Sequence, residues 1–223
     1  LTLRGTLRYW RSILNLAPAN EAARVLRDAE GDLRTAVATD PQQAFAWTLL
    51  SSLLMRRSET PEAKLAALRA YEADPYLANA DLTVWRLYQA SLDLEDGVEA
   101  RRWCDEGARR FAQDPRFIEC QISIMALVGE PPDVPKAWRL LEQNLSLYAP
   151  NEREYRRRRG QLLVEMPIAR AGLRDSARRV ALRSRADAAI DPSRDLVYIE
   201  ALLRNLLGDR DEALRLVSLY LAT

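Results

Sequence analysis

Five dipeptides ending in proline divide this chain: Asp40-Pro41, Asp74-Pro75, Asp114-Pro115, Ala149-Pro150 and Asp191-Pro192, separated by 34, 40, 35 and 42 residues. A period of that size is too long for a single helix or strand and matches a helix-turn-helix unit repeated along the chain. The text between the marks is amphipathic and rich in Leu, Ala, Arg and Glu, and no β-branched run is bounded by turn residues. These features predict an all-α chain that grows by stacking helix pairs, each burying its apolar face against the next.

Charge and cysteine content narrow the function. Lys plus Arg (33) nearly cancels Asp plus Glu (32), and basicity comes almost wholly from Arg, with lysine only at Lys64 and Lys136. Such a balance argues against a nucleic-acid or anionic-membrane binder, which carries a basic excess. No apolar run reaches the length of a membrane span, and the start has no basic segment followed by an apolar stretch of signal-peptide type. Cys104 and Cys120, the only cysteines, are too few for a disulfide framework and point to free thiols in a reducing, cytoplasmic setting. Both are expected as small hydrophobes in adjoining core; a redox pair would need their Cα atoms within about 7 Å. The chain begins at Leu1, which is expected of a piece of a longer or processed polypeptide.

No enzyme chemistry is legible. There is no histidine, which removes the commonest general base and metal ligand, and neither phosphate-cradling glycine motif occurs. No catalytic, cofactor-binding or metal-binding residue is therefore expected. Acidic pairs such as Glu95-Asp96, and Asp209 with Asp211-Glu212, fall at turns and helix starts, where capping and the helix dipole account for them.

The segment from Asp40 to Pro75 carries the clearest pattern. Trp47, Leu50, Ser51 and Leu54 fall on one face of a first helix, Ala63 and Ala70 allow close approach of a second, and Pro75 closes the unit. On these residues the chain resembles the tetratricopeptide-repeat family; Ala67 departs from the pattern, standing where a Phe is usual. Later repeats match more loosely. The second has Asp81 in place of the aromatic, with Val84, Tyr88, Ala100 and Gly107 at the following places and extra residues that roughly one additional turn in two positions would absorb. The third carries Gln121, Ile124, Met125 and Val128, then a firm break at residues 129–135, then Ala137, Leu141 and Asn144. The fourth has Gly160 at the small place and Pro167 inside its apolar pattern, where a kink or a helix restart is expected. The fifth offers Tyr198, Ala201 and Leu202, followed by the turn-and-helix text of residues 208–214. All five tryptophans, Trp10, Trp47, Trp85, Trp103 and Trp138, are expected mainly in core.

The resemblance implies a right-handed α-solenoid of antiparallel helix pairs. Residues 1–40 form a degenerate first pair or N-terminal cap, followed by an array over 41–223 with repeats at about 41–75, 76–115, 116–150, 151–192 and 193–223. It also implies a concave groove lined by the first helix of each repeat. Carried over residue by residue, the expected partner-binding positions are Phe45, Thr48, Leu49, Ser52 and Arg56; Asn79, Leu82, Thr83 and Arg86; Glu119, Ile122 and Ser123; Arg157, Arg158 and Gln161; and Ile199 with Leu203. The ligand would be a protein or peptide, with Arg56, Arg86, Arg157 and Arg158 suited to carboxylates of an acidic segment or a free C-terminus. The dense arginine run around Arg153 and Arg156 to Arg159 also reads as solvated surface. Ile122, Ile199 and Leu203 admit two readings: a ligand covers them, or they pack on neighbouring helices. The text is similar to repeat regions attached to larger bacterial signalling proteins. The expected role is a protein-interaction module; the alternative is a structural subunit fixed in an assembly through its convex face or terminal helix.

Overall fold

The computed structural model describes residues 1–127, 129–183 and 195–222, with backbone only for 178 and 180–183. Asp191-Pro192 and Val128 lie outside the described residues. Twelve α-helices and no strand occur among those described, divided between two compact units, Leu1–Arg110 and Phe111–Thr223. The first holds α1 (Thr2–Ile13), α2 (Ala19–Thr39), α3 (Ala44–Arg56), α4 (Thr60–Ala73), α5 (Ala80–Asp93) and α6 (Gly97–Arg110). The second holds α7 (Pro115–Ile124), α8 (Val134–Ser146), α9 (Arg153–Arg170), α10 (Arg174–Arg183), α11 (Asp195–Leu207) and α12 (Arg210–Leu221). Within each unit, successive helices pack on each other and odd-numbered helices also touch: α1 on α3 on α5, and α7 on α9 on α11.

The most regular mark in the fold is one that the prolines do not show. Among the described residues, every turn inside a helix pair contains one with positive φ: Asn15, Ser58, Glu95, Gly129, Gly172 and Gly208. At five of them the same two backbone bonds close the first helix. At Ser58, for example, Ser58 N–H donates to Met55 O (3.1 Å) and Glu59 N–H to Leu54 O (3.0 Å), and equivalent pairs stand at Asn15, Glu95, Gly172 and Gly208. This left-handed cap satisfies carbonyls that the helix end leaves without partners. At Gly172 and Gly208 the missing Cβ makes that conformation free of steric cost.

These turns correct the register of the second repeat. Ser58 to Glu95, Ala63 to Ala100 and Ala70 to Gly107 are equal intervals, so α3–α4 and α5–α6 are equivalent as whole pairs. Both α5 and α6 have 14 residues, the length of α4, so the extra residues add no helical turns. They sit in the connections instead, and Pro115 opens α7 at its first turn with Asp114 as the capping acceptor. Proline carbonyls have their own role here. Pro41 O accepts from Trp47 Nε1 (2.9 Å), Pro75 O from Arg110 (2.5 Å) and Pro115 O from Asn144 Nδ2 (3.0 Å). The first two tie a connection to the pair that follows it, and the third ties the start of α7 to α8.

In the first unit the core runs through Leu33, Leu49, Leu50, Leu53, Leu54 and the alanines Ala29, Ala63 and Ala66, all essentially inaccessible. Ser51, at the small place, donates its buried hydroxyl to Ala63 O (2.8 Å). Two small residues thus bring α3 against α4 and leave no buried donor without an acceptor. In the second unit Ile118, Ile122, Leu141, Leu162, Leu196, Leu203 and Leu207 form the equivalent core. Gly160 marks its tightest approach, since a Cβ there would lie 2.2 Å from Leu141 Cδ1. Pro167 neither breaks nor restarts its helix: α9 runs unbroken from Arg153 to Arg170. Because Pro167 stands in the last turn, only one intrahelical donor is missing from the ladder near its end.

The tryptophans correct another expectation. Trp103 is buried against Tyr71, but Trp10 and Trp138 are exposed, and Trp47 and Trp85 are half-buried. Their amphipathic helices turn the indoles toward the surface, so the hydrophobicity of the residue type alone misplaces them.

The first pair is held by charge. Arg4 and Arg8 both donate to Asp32, buried on α2, with Arg4 Nε at 2.8 Å. The Arg4 hydrogen bond, against the opposing cost of burial, holds the Asp32 carboxyl below its ordinary range. A depressed carboxylate contributes stability that is present above its unfolded pKa and lost as pH falls through the folded one. Acidification through and below the carboxylate range is therefore expected to loosen α1 from α2 before the rest of the unit. Asp32→Asn should remove that pH dependence, read as hydrogen exchange of the α1 and α2 amides against pH; identical profiles for both proteins would refute the assignment.

Candidate functional site

The odd-numbered helices present the positions that the resemblance singled out, and the structure sorts these into two layers. Thr48, Leu49, Ser52 and Thr83 in the first unit, and Ile122, Ile199 and Leu203 in the second, are buried. Thr48 and Thr83 share a hydroxyl hydrogen bond of 2.7 Å between α3 and α5. Of the two readings of Ile122, Ile199 and Leu203, packing between neighbouring helices is the one observed, because the odd helices lie close enough to cover these side chains. The buried layer sets the spacing of the helices.

The accessible layer is cationic, with polar and apolar side chains mixed. In the first unit it comprises Phe45, Arg56, Asn79, Leu82 and Arg86, each exposed or half-buried. Arg86 Nε donates to Ser52 Oγ (3.1 Å) and its Nη1 to Gln89 Oε1 (2.6 Å), which fixes the guanidinium along the α3–α5 seam. Asn79 is the residue before α5, and its side chain makes no cap bond. The corrected register adds Trp85 and Gln89, which occupy on α5 the places of Thr48 and Ser52 on α3. The equal spacing of the alanine pairs was the signal for them in the sequence.

In the second unit the accessible layer comprises Glu119, Ser123, Arg157, Arg158 and Gln161. Neighbouring arginines of the run on α9 do different things. Arg153 Nε donates to Tyr148 O (3.0 Å), Arg156 lies over the Tyr148 ring at 4.5 Å, and Arg159 bonds Glu119 and approaches Asp195 at 3.7 Å. Glu119 is thus committed to Arg159, because α7 and α9 bring the two together, and Arg158 bonds Glu154 at 2.9 Å. Arg157 is exposed and makes no ion pair with any described residue.

The carboxylates serve local structure. Asp96 accepts from Glu99 N–H and Lys64 Nζ, both at 3.1 Å; the backbone bond, then the lysine, hold its carboxyl below the ordinary range. Glu212 pairs with Arg215 at 2.7 Å. Among the described residues no group of three or more His, Cys, Asp and Glu side chains is placed to hold a metal ion. The expectation of free thiols is corrected: Cys104 and Cys120, each about 1 % exposed, are both disulfide-bonded. Sequence spacing carries no information on Cα separation, and with it goes the argument for a reducing compartment. No helix among the described residues is long and apolar enough to cross a membrane.

One cavity lies away from this face. About 200 Å³ in volume, it opens between α2 and α4 and is lined by Val37, Trp47, Leu50, Leu54, Leu65 and Ala66, with Arg34, Glu62 and Arg69 also bordering it. Sequence patterning missed it because its lining comes from three helices, α2, α3 and α4.

Helix pairs closed by left-handed turns, small residues at the close approaches and a polar layer on the odd helices define a helical-repeat protein with the tetratricopeptide-repeat fold. Solved structures agree. A tetratricopeptide repeat protein from Parabacteroides merdae aligns over 95 % of this chain and 78 % of its own, at 16 % identity and a TM-score of 0.60. YrrB, described as a TPR protein with an unusual peptide-binding site, aligns over 83 % of this chain and 89 % of its own, at 16 % identity and a TM-score of 0.50. No family model and no curated protein matches the sequence.

Proposed function

We propose that this chain is a protein-interaction module that holds a segment of another protein against the odd-numbered helices of its units. The observation that carries the reading is the division of that face. Its buried layer sets the helix spacing, while the accessible layer presents exposed Arg56 and half-buried Arg86 beside half-buried Leu82 in one unit, and exposed Arg157 and half-buried Arg158 beside half-buried Gln161 in the other. Forked guanidiniums beside apolar side chains suit an extended segment carrying carboxylates. That YrrB is described as binding a peptide supports a peptide as the ligand class. Attachment to a larger signalling protein belongs to the same proposal.

The test reverses Arg86, Arg157 and Arg158 to Glu together and compares captured partners from native lysate by quantitative mass spectrometry, with the helical signal and melting temperature as controls. Loss of specific partners by tenfold or more is expected, in line with the cost of about 2–5 kcal/mol for losing charged contacts at an interface. An unchanged partner set from a folded variant sinks the reading.

A second reading rests on α12, where Leu214, Val217, Leu219, Tyr220 and Leu221 are exposed on one terminal helix. A subunit embedded in a fixed assembly presents such a face. It predicts self-association or insolubility of the isolated chain in sedimentation, whereas a recruiting module sediments as a monomer.

A further inference from the structure

Helix α1 sits inside out. Its sequence, TLRGTLRYWRSI, contains no acidic residue, and only Gly5 and Tyr9 are buried. Gly5 selects this docking, because a Cβ there would stand 3.0 Å from Leu33 Cγ and 3.2 Å from Asp32 Cβ. Asp32 then draws the half-buried Arg8 and the exposed Arg4 toward α2 from the flank of the helix. The apolar stripe is left facing outward: Leu3, Leu7, Trp10 and, just past the helix end, Leu14 are 44 to 71 % exposed.

The stripe has the geometry of a helix-pairing seam. Its residues follow at intervals of four, three and four, the alternation by which one helix packs along another. At about 100° per residue they occupy an arc of about 60°. Arg4 and Arg11 border one edge, Thr6 and Ile13 the other. The carboxylates nearby are Asp32, shared by Arg4 and Arg8, Glu21, shared by Arg11 (3.6 Å) and Arg24 (3.3 Å), and Asp28, 4.0 Å from Arg24; four arginines face three carboxylates, so the basic edge keeps an excess of positive charge.

We propose that the α1 seam docks one helix of a partner protein that carries apolar residues at the same alternating spacing and Glu or Asp along the edge facing Arg4 and Arg11. A lipid surface fits less well, since the apolar arc of about 60° is narrower than the roughly 100° stripe of an amphipathic helix that buries one face. A second copy fits less well too. Antiparallel pairing sets the arginine edge against its own copy, and parallel pairing sets it against Thr6 and Ile13, which offer it no carboxylate. This site shares no residue with the candidate positions on α3, α5, α7, α9 and α11 and stands whether or not those positions bind.

The whole chain is titrated calorimetrically with a synthetic peptide of about three heptads, Leu at the seam positions and Glu at both edges, whose own charges keep it from pairing with itself. The comparators are a twin with Lys at both edges, anionic phospholipid vesicles, and sedimentation of the protein alone. The acidic peptide is expected to bind and its Lys twin not. Leu7→Ser with Trp10→Ser should weaken binding about tenfold or more, and Arg11→Glu several-fold with loss of the salt dependence. Because these side chains are exposed, the variants should keep the parent's helical signal, and Arg11→Glu and the Lys twin test the idea should the double variant misfold. The proposal is overturned by equal binding of both peptides, by binding of neither, by vesicle adsorption that the seam variants abolish, or by self-association that they abolish.

Discussion

Replacing Arg204 by Met is expected to destabilise the α11–α12 pair by about 3–5 kcal/mol, the cost of leaving one member of a buried ion pair behind. Glu200 is 2 % exposed, and Arg204, one turn further along α11, reaches its Oε1 through Nε (3.3 Å) and Nη2 (3.1 Å) while Nη1 lies 3.3 Å from Asp209. One guanidinium thus neutralises a carboxylate in the core and fastens the residue that precedes α12. Without it, buried Glu200 loses the guanidinium that neutralises it, which costs stability. Removing both charges with Glu200→Leu and Arg204→Met should restore the unit to within about 1 kcal/mol of the parent, since apolar replacement of a buried pair is often neutral. Hydrogen exchange of the α11 and α12 amides reads the effect locally. A single variant that costs less than about 1 kcal/mol would show that the pair is dispensable.

Leu203→Ala is expected to cost about 2–5 kcal/mol in urea unfolding, because Leu203 is fully buried among Leu196, Ile199 and Leu207 and its removal leaves a cavity. Arg157→Ala, on the same side of the unit but exposed, should stay within about 0.5 kcal/mol. The contrast separates the two layers of the candidate face by measurement. If Leu203→Ala proves neutral in stability, the side chain faces outward and the ligand-covered reading of that position returns.

The class of fold was legible in the sequence because a helix pair is a local object. Leu50, Leu54, Ala63 and Ala70 are close in the chain, and spacing on two adjacent helices determines which faces meet. The turn within residues 208–214 was legible for the same reason, since a glycine past a helix end specifies a left-handed cap. Register in the second repeat was less so. A connection absorbs extra residues at little cost, so counting onward from a proline places Asp81 where the helix itself places Val84, while the alanine and glycine of α6 hold the true interval.

What the odd-helix face offers a ligand depended on distances that no spacing encodes. Thr48 meets Thr83, Glu119 meets Arg159 and Leu203 is covered, each through helices two apart in the chain. The inversion of α1 is of the same kind: its periodicity states that an apolar stripe exists, but Gly5 and Asp32 decide that the stripe points away from α2. The sequence by itself determined helices, their pairing and the positions of their small contacts, because these follow from local periodicity and sterics. Only the tertiary structure decided which apolar residues are core and which remain as surface, because burial is a property of the neighbours a side chain acquires on folding.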